Sequence, residues 1–153
     1  HIEFLDLSIV FRYLITEENF GSVSILIHKT HMEMWNVTTE ELFQTARENT
    51  QKLEGYEIQS MADVFCDIMK AGNSTEKIWN KSTEALQEDI PLYVLSNKSK
   101  IEGAACMLYP NLFRNFADVI GSSFYIIPSS IHELLLLTVE SMKEDKEFTN
   151  MIK

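Results

Sequence analysis

Residues Gly103–Val139 read GAACMLYPNLFRNFADVIGSSFYIIPSSIHELLLLTV, and their punctuation decides the fold class. Ala104–Tyr109 predicts a strand. Pro110 suits the first turn of a following helix, where its missing N–H costs nothing. Leu112, Phe113, Phe116, Ala117 and Ile120 recur at helical spacing and form the buried stripe of that helix. Gly121 is its stop. Phe124–Ile127 and Glu133–Val139 then predict two strands paired across Pro128–His132. Nearly every residue in this stretch serves a core, and none of it assembles a catalytic group.

Upstream, Leu92–Leu95 predicts a strand and Ser96–Lys100 a polar turn, so that Ala104–Tyr109 returns beside it. Phe4–Ile15, rich in β-branched and aromatic residues, predicts one long strand. Glu17–Gly21 is its turn, with Gly21 free to take positive φ, and Val23–Ile27 is its antiparallel partner, as so short a loop requires. The period then becomes helical. His28–Trp35 is a short helix ended by Asn36-Val37. Thr38 and Glu41 form a capping box for a helix running to about Leu53, with Leu42, Phe43, Ala46 and Thr50 inward and Gly55 at its end. Ser60 caps a third helix carrying Met61, Val64, Phe65, Ile68 and Met69 on one side. The pattern weakens over 71–90, an insertion or mobile segment that includes a helix over Glu76–Glu88. A last helix begins near Asp145. The predicted order, ββααα(α)ββαββ(α), is that of an α+β protein. Its mostly antiparallel sheet, built from hairpins, packs against a block of helices in one domain spanning 1–153.

Composition narrows the function classes. At 153 residues, with 45% apolar and 24% charged content, the chain can bury a core without disulfides or metal. The net charge of −10 and only three arginines, Arg12, Arg47 and Arg114, leave no basic footprint for nucleic acid. No run approaches the ~18 apolar residues of a membrane span. The chain opens on His1 and carries no signal-peptide pattern. Cys66 and Cys106 each sit in an apolar pattern and read as free thiols of a reducing compartment, which points to the cytoplasm. Asn-x-Ser/Thr triplets begin at Asn36, Asn73, Asn80 and Asn97, and they matter only in a secreted chain.

Four strings are family-like: Met34-Trp35-Asn36-Val37-Thr38 to Glu41, Asn97-Lys98-Ser99-Lys100, Gly103–Tyr109 and Ile127-Pro128-Ser129-Ser130-Ile131-His132-Glu133. Together they resemble an uncharacterised family of gut Clostridia-type bacteria, a domain of unknown function. The Ser-Ser-Ile-His-Glu string is the most specific part. The resemblance implies a bacterial source and a fragment of a longer member. It implies no activity, cofactor or catalytic residue.

Candidate chemistry is sparse. His28 and His31 stand at i, i+3 and could share a metal, with His132 as a third ligand if the chain brings it near. The bland alternative is a polar helix face beside a turn. His132 could also act as base to Ser129 or Ser130, but no third group or oxyanion hole accompanies them. His132 and Glu133, as strand neighbours, would point to opposite faces. Phosphate-binding and hydrolase glycine motifs are absent, and no cofactor is implied. Trp35 and Trp79 are candidate interface anchors. The sequence therefore favours a non-enzymatic binding domain whose partner is a protein: its own further segments, another chain, or a second copy in a homodimer. The alternatives are a metal-dependent hydrolase using His28, His31 and His132, and a small-ligand sensor with a pocket between the sheet and the Thr38–Leu53 helix.

Overall fold

The computed structural model describes residues 1–17, 21–71 and 92–139. Its contacts fall into two compact units, 1–52 and 53–153. Nearly all of the predicted 71–90 insertion, and the predicted helix near Asp145, lie outside the described residues.

The first unit opens with two hairpins. β1 (Ile2–Phe4) pairs antiparallel with β2 (Leu7–Ile9), from Ile2↔Ile9 to Phe4↔Leu7. The long strand predicted over Phe4–Ile15 is thus interrupted. Leu5 takes a left-handed φ of 55° and reverses the chain through a two-residue connection, a conformation that side-chain sterics make uncommon and that apolar patterning does not signal. β3 (Arg12–Glu17) and β4 (Gly21–Leu26) form the expected antiparallel pair, from Arg12↔Leu26 to Glu17↔Gly21.

α1 (Lys29–Trp35) ends at Asn36, whose φ of 52° lets its N–H reach the Glu33 and Met32 carbonyls. α2 (Thr39–Glu54) follows. Its capping box is formed as predicted. The Glu41 N–H donates to Thr38 Oγ1 at 3.2 Å, while the Thr38 N–H and hydroxyl both donate to Glu41 Oε2 at 2.9 Å. These donors, the backbone N–H foremost, hold the Glu41 carboxyl below its ordinary range. Thr38→Ala removes the cap, and we expect a loss of about 1 kcal/mol in chemical denaturation. Leu42, Phe43, Ala46 and Thr50, expected to be buried, are only half-buried, and no described residue of α2 is fully buried.

The second unit contains a four-stranded antiparallel sheet. β5 (Glu57–Ser60) leads into α3 (Met61–Ala71). β6 (Leu92–Ser96), α4 (Leu112–Ile120), β7 (Phe124–Pro128) and β8 (Leu134–Thr138) follow, and the sheet order is β5-β6-β8-β7. Central β8 explains its unbroken leucines. Hydrogen-bonded on both edges, it buries Leu134, Leu136, Leu137 and Thr138. One sheet face carries Tyr93, Leu95, Leu134 and Leu136, which pack with Cys106, Tyr109, Leu112 and Phe116 into the core.

Three local expectations are corrected here. Gly103–Leu108 is a 3-10 helix and not a strand. Its Gly-Ala-Ala start has poor strand propensity, and both edges of β6 are already taken, by β5 and β8. α4 starts at Leu112, after Asn111 turns the chain at φ 61°, so Pro110 precedes the helix instead of opening it. β5 goes unread in the sequence, because four residues with alternate polar positions give almost no periodic signal. Ser60 does cap α3, its Oγ accepting the Asp63 N–H at 3.1 Å. Phe65 and Ile68, expected inward, are exposed.

Candidate functional site

In the first unit, the β3–β4 ribbon presents an apolar face. Side chains two apart on a strand share a face, as do directly opposed residues. Tyr13 and Ile15 therefore stand beside their partners Ile25 and Val23. All four are exposed, Tyr13 at 55% and Ile25 at 48%. Trp35 of α1, itself 48% exposed, places its ring 6.4 Å from Tyr13. His31 in turn stacks on Trp35 at 5.8 Å. In this unit only Phe11 is a buried hydrophobic among the described residues; its ring meets Phe43 edge-on at 6.5 Å. Leu14 and Leu26 of the ribbon and Leu5, Leu7 and Val10 before it are exposed as well.

The predicted site residues fall in different units and take different local roles. His28 precedes α1, and its N–H donates to His31 Nδ1 at 3.1 Å; the two rings lie 5.7 Å apart. His132 belongs to the second unit, in the loop between β7 and β8, where its Nδ1 accepts the Glu102 N–H at 3.0 Å. Among the described residues no group of three His, Cys, Asp or Glu side chains could hold a metal ion. Ser130 Oγ accepts the backbone N–H of His132 at 3.0 Å, and Ser129 Oγ donates to Glu133 at 3.3 Å. These bonds shape a turn and leave neither serine hydroxyl bonded to the imidazole. Trp79 lies outside the described residues.

Three of the four family-like strings, Asn97–Lys100, Gly103–Tyr109 and Ile127–Glu133, thus meet as a latch. The Ser96 hydroxyl donates to the His132 carbonyl at 2.8 Å, and the Ala104 N–H donates to the Ile131 carbonyl at 3.2 Å. Buried Asn97 closes the neighbouring turn through both amide atoms, donating to Ile101 O at 2.7 Å and accepting from its N–H at 3.2 Å. A buried amide is tolerated because both ends are bonded.

The second unit also holds an open cleft of about 670 Å³ between the sheet and α4. Tyr56, Tyr93 and Phe116 supply its aromatic surface, and Asp63 is the one charged residue among the described residues that line it. No α2 residue is among them. The sequence missed this site because its lining comes from four separated stretches, 56–63, Tyr93, 112–122 and Thr138.

Cys66 and Cys106 are both free. Cys106 is fully buried, and burial pushes its thiol from 9.0 up to about 11. The Tyr109 hydroxyl nearby is buried too, and burial raises it as well. An unfolded thiol ionises near 9.0, so above that pH the folded state holds more protons and stability falls as pH rises. We expect chemical-denaturation midpoints to decline from pH 9 to 11, and Cys106→Ala to flatten that decline.

Fold and surface together define an α+β protein with an exposed apolar β-ribbon and an open cleft, and with no helix among the described residues long and apolar enough to cross a membrane. The chain belongs to a family of unknown function, DUF5688, whose model matches residues 1–153. Comparison with curated proteins and with solved structures finds no match.

Proposed function

We propose that this protein is a binding domain whose β3–β4 ribbon docks an extended segment of a protein partner. The observation that carries this reading is the exposed apolar face of Tyr13, Ile15, Val23 and Ile25, adjoining Trp35. A two-stranded ribbon is marginal alone, and a third strand with an apolar face supplies what it lacks. Among the described residues neither ribbon strand pairs with any further strand. A partner strand would take main-chain bonds at that edge and lay alternate apolar side chains over the face. The net charge of −10 favours basic flanks on that segment. The free cysteines support a reducing, cytoplasmic setting, and the family-like strings a bacterial one.

A photo-crosslinking residue at Ile25 tests this, with the same residue at exposed Glu40 on α2 as control. The expected result is a discrete adduct at Ile25 alone, mapping on the partner to a segment with alternate apolar residues. Adducts at both positions, none at either, or a product of twice the subunit mass would overturn it; the last would make the face a homodimer contact. The metal-dependent hydrolase has no assembled ligand group among the described residues to support it.

A further inference from the structure

From the cleft of the second unit, and independently of the ribbon, we infer a binding site for a small organic cation with an aromatic body. Its volume of about 670 Å³ lies within the range of small-molecule sites. Tyr56 and Tyr93 contribute aromatic side chains to its lining, and Ile58 and Val119 apolar ones. Phe116 is held in place by edge-on contacts with Tyr93 at 5.2 Å and Phe124 at 5.1 Å.

Charge selects the ligand class. Asp63 is the sole ionisable carboxylate on the described lining, and no Lys, Arg or His joins it there. Its orientation is set locally: the Ser60 hydroxyl donates to Oδ2 at 2.7 Å, and the Asp63 N–H donates back to Ser60 Oγ at 3.1 Å. Oδ1 carries no hydrogen bond from Ser60. A carboxylate with a spare oxygen, in a cleft also lined by aromatic side chains, favours an ammonium group by charge, and a ring face adds to this where the cation reaches it. An anionic ligand is repelled by Asp63 and by the chain's net charge of −10.

Three indole probes that share a body and differ in charge test the assignment by calorimetric titration of the whole chain: tryptamine, tryptophol and indole-3-acetate. Tryptamine is expected to bind about fivefold tighter than neutral tryptophol, the size of one partly solvated ion pair. Indole-3-acetate is expected to be the weakest. Asp63→Asn, at an exposed position, should bring tryptamine and tryptophol within twofold of each other. Val119→Trp, which fills the cleft from its exposed rim, should abolish binding of all three. Equal binding of the three probes, no binding of any, or a cation preference that survives Asp63→Asn would overturn the proposal.

Discussion

Gly103→Ala is expected to destabilise the protein by about 3 kcal/mol or more, at the upper end for overpacking a closed site. A Cβ at this position would overlap Ser96 Oγ and lie 2.5 Å from the His132 carbonyl oxygen and 2.6 Å from the Asn97 nitrogen. Two of these three are backbone atoms and cannot swing aside. The backbone must separate, and the bonds from Ser96 to His132 and from Ala104 to Ile131 go with it. Gly121 is the informative control. It has open space around its Cβ position but a φ of 68°, so Gly121→Ala carries only the left-handed penalty, about 1 kcal/mol. Urea denaturation of both variants separates the two causes. A Gly103→Ala loss no larger than that of Gly121→Ala would show that the latch does not need this close approach.

Leu136→Ala should cost ~3–5 kcal/mol, the range for a fully buried leucine whose site cannot collapse. Leu136 is completely inaccessible and stands on central β8, opposite Tyr93 on β6 and Ile126 on β7. Its neighbours are pinned by hydrogen-bonded strands on both sides, so the void left behind stays open. Leu135, one residue earlier, points to the other face and is only half-buried. Leu135→Ala is expected to lose less than half as much. Near-equal losses would mean that both faces of β8 are equally closed.

Much of this architecture was legible because the relevant signals are local. The Thr38–Glu41 cap, the Asn36 stop, the stripe of α4 and the pairing of β7 with β8 each depend on residues within a few positions of one another. The same holds for β3 and β4, whose alternation and short connection specify the pair. Two errors were local, the left-handed turns at Leu5 and Asn111 that apolar patterning does not signal; in the others the deciding contact was remote. Gly103–Leu108 carries an apolar run that fits a strand, yet β6 has no free edge for it. β5 was missed because its pairing with β6 comes from across the fold, not from its own four residues.

The candidate sites follow the same division. The spacing of His28 and His31 was visible, and they do interact, but through a backbone N–H at the start of α1. His132 serves instead to hold the Glu102 amide in a loop of the other unit. The sequence marked the ribbon strands as an antiparallel pair without revealing that Tyr13, Ile15, Val23 and Ile25 share an exposed face. The cleft was invisible, since Tyr56, Asp63, Tyr93, Asn115 and Thr138 have no sequence relation until the sheet and α4 meet.

The α+β class, the Thr38 and Ser60 caps, the β3–β4 and β7–β8 pairs and the acidic charge follow from the residues alone, because propensity, capping and alternation act over a few positions. Only the tertiary structure decided which apolar faces are covered and which stay in water. Burial is a property of what packs against a side chain, and here the partners come from strands and helices tens of residues away.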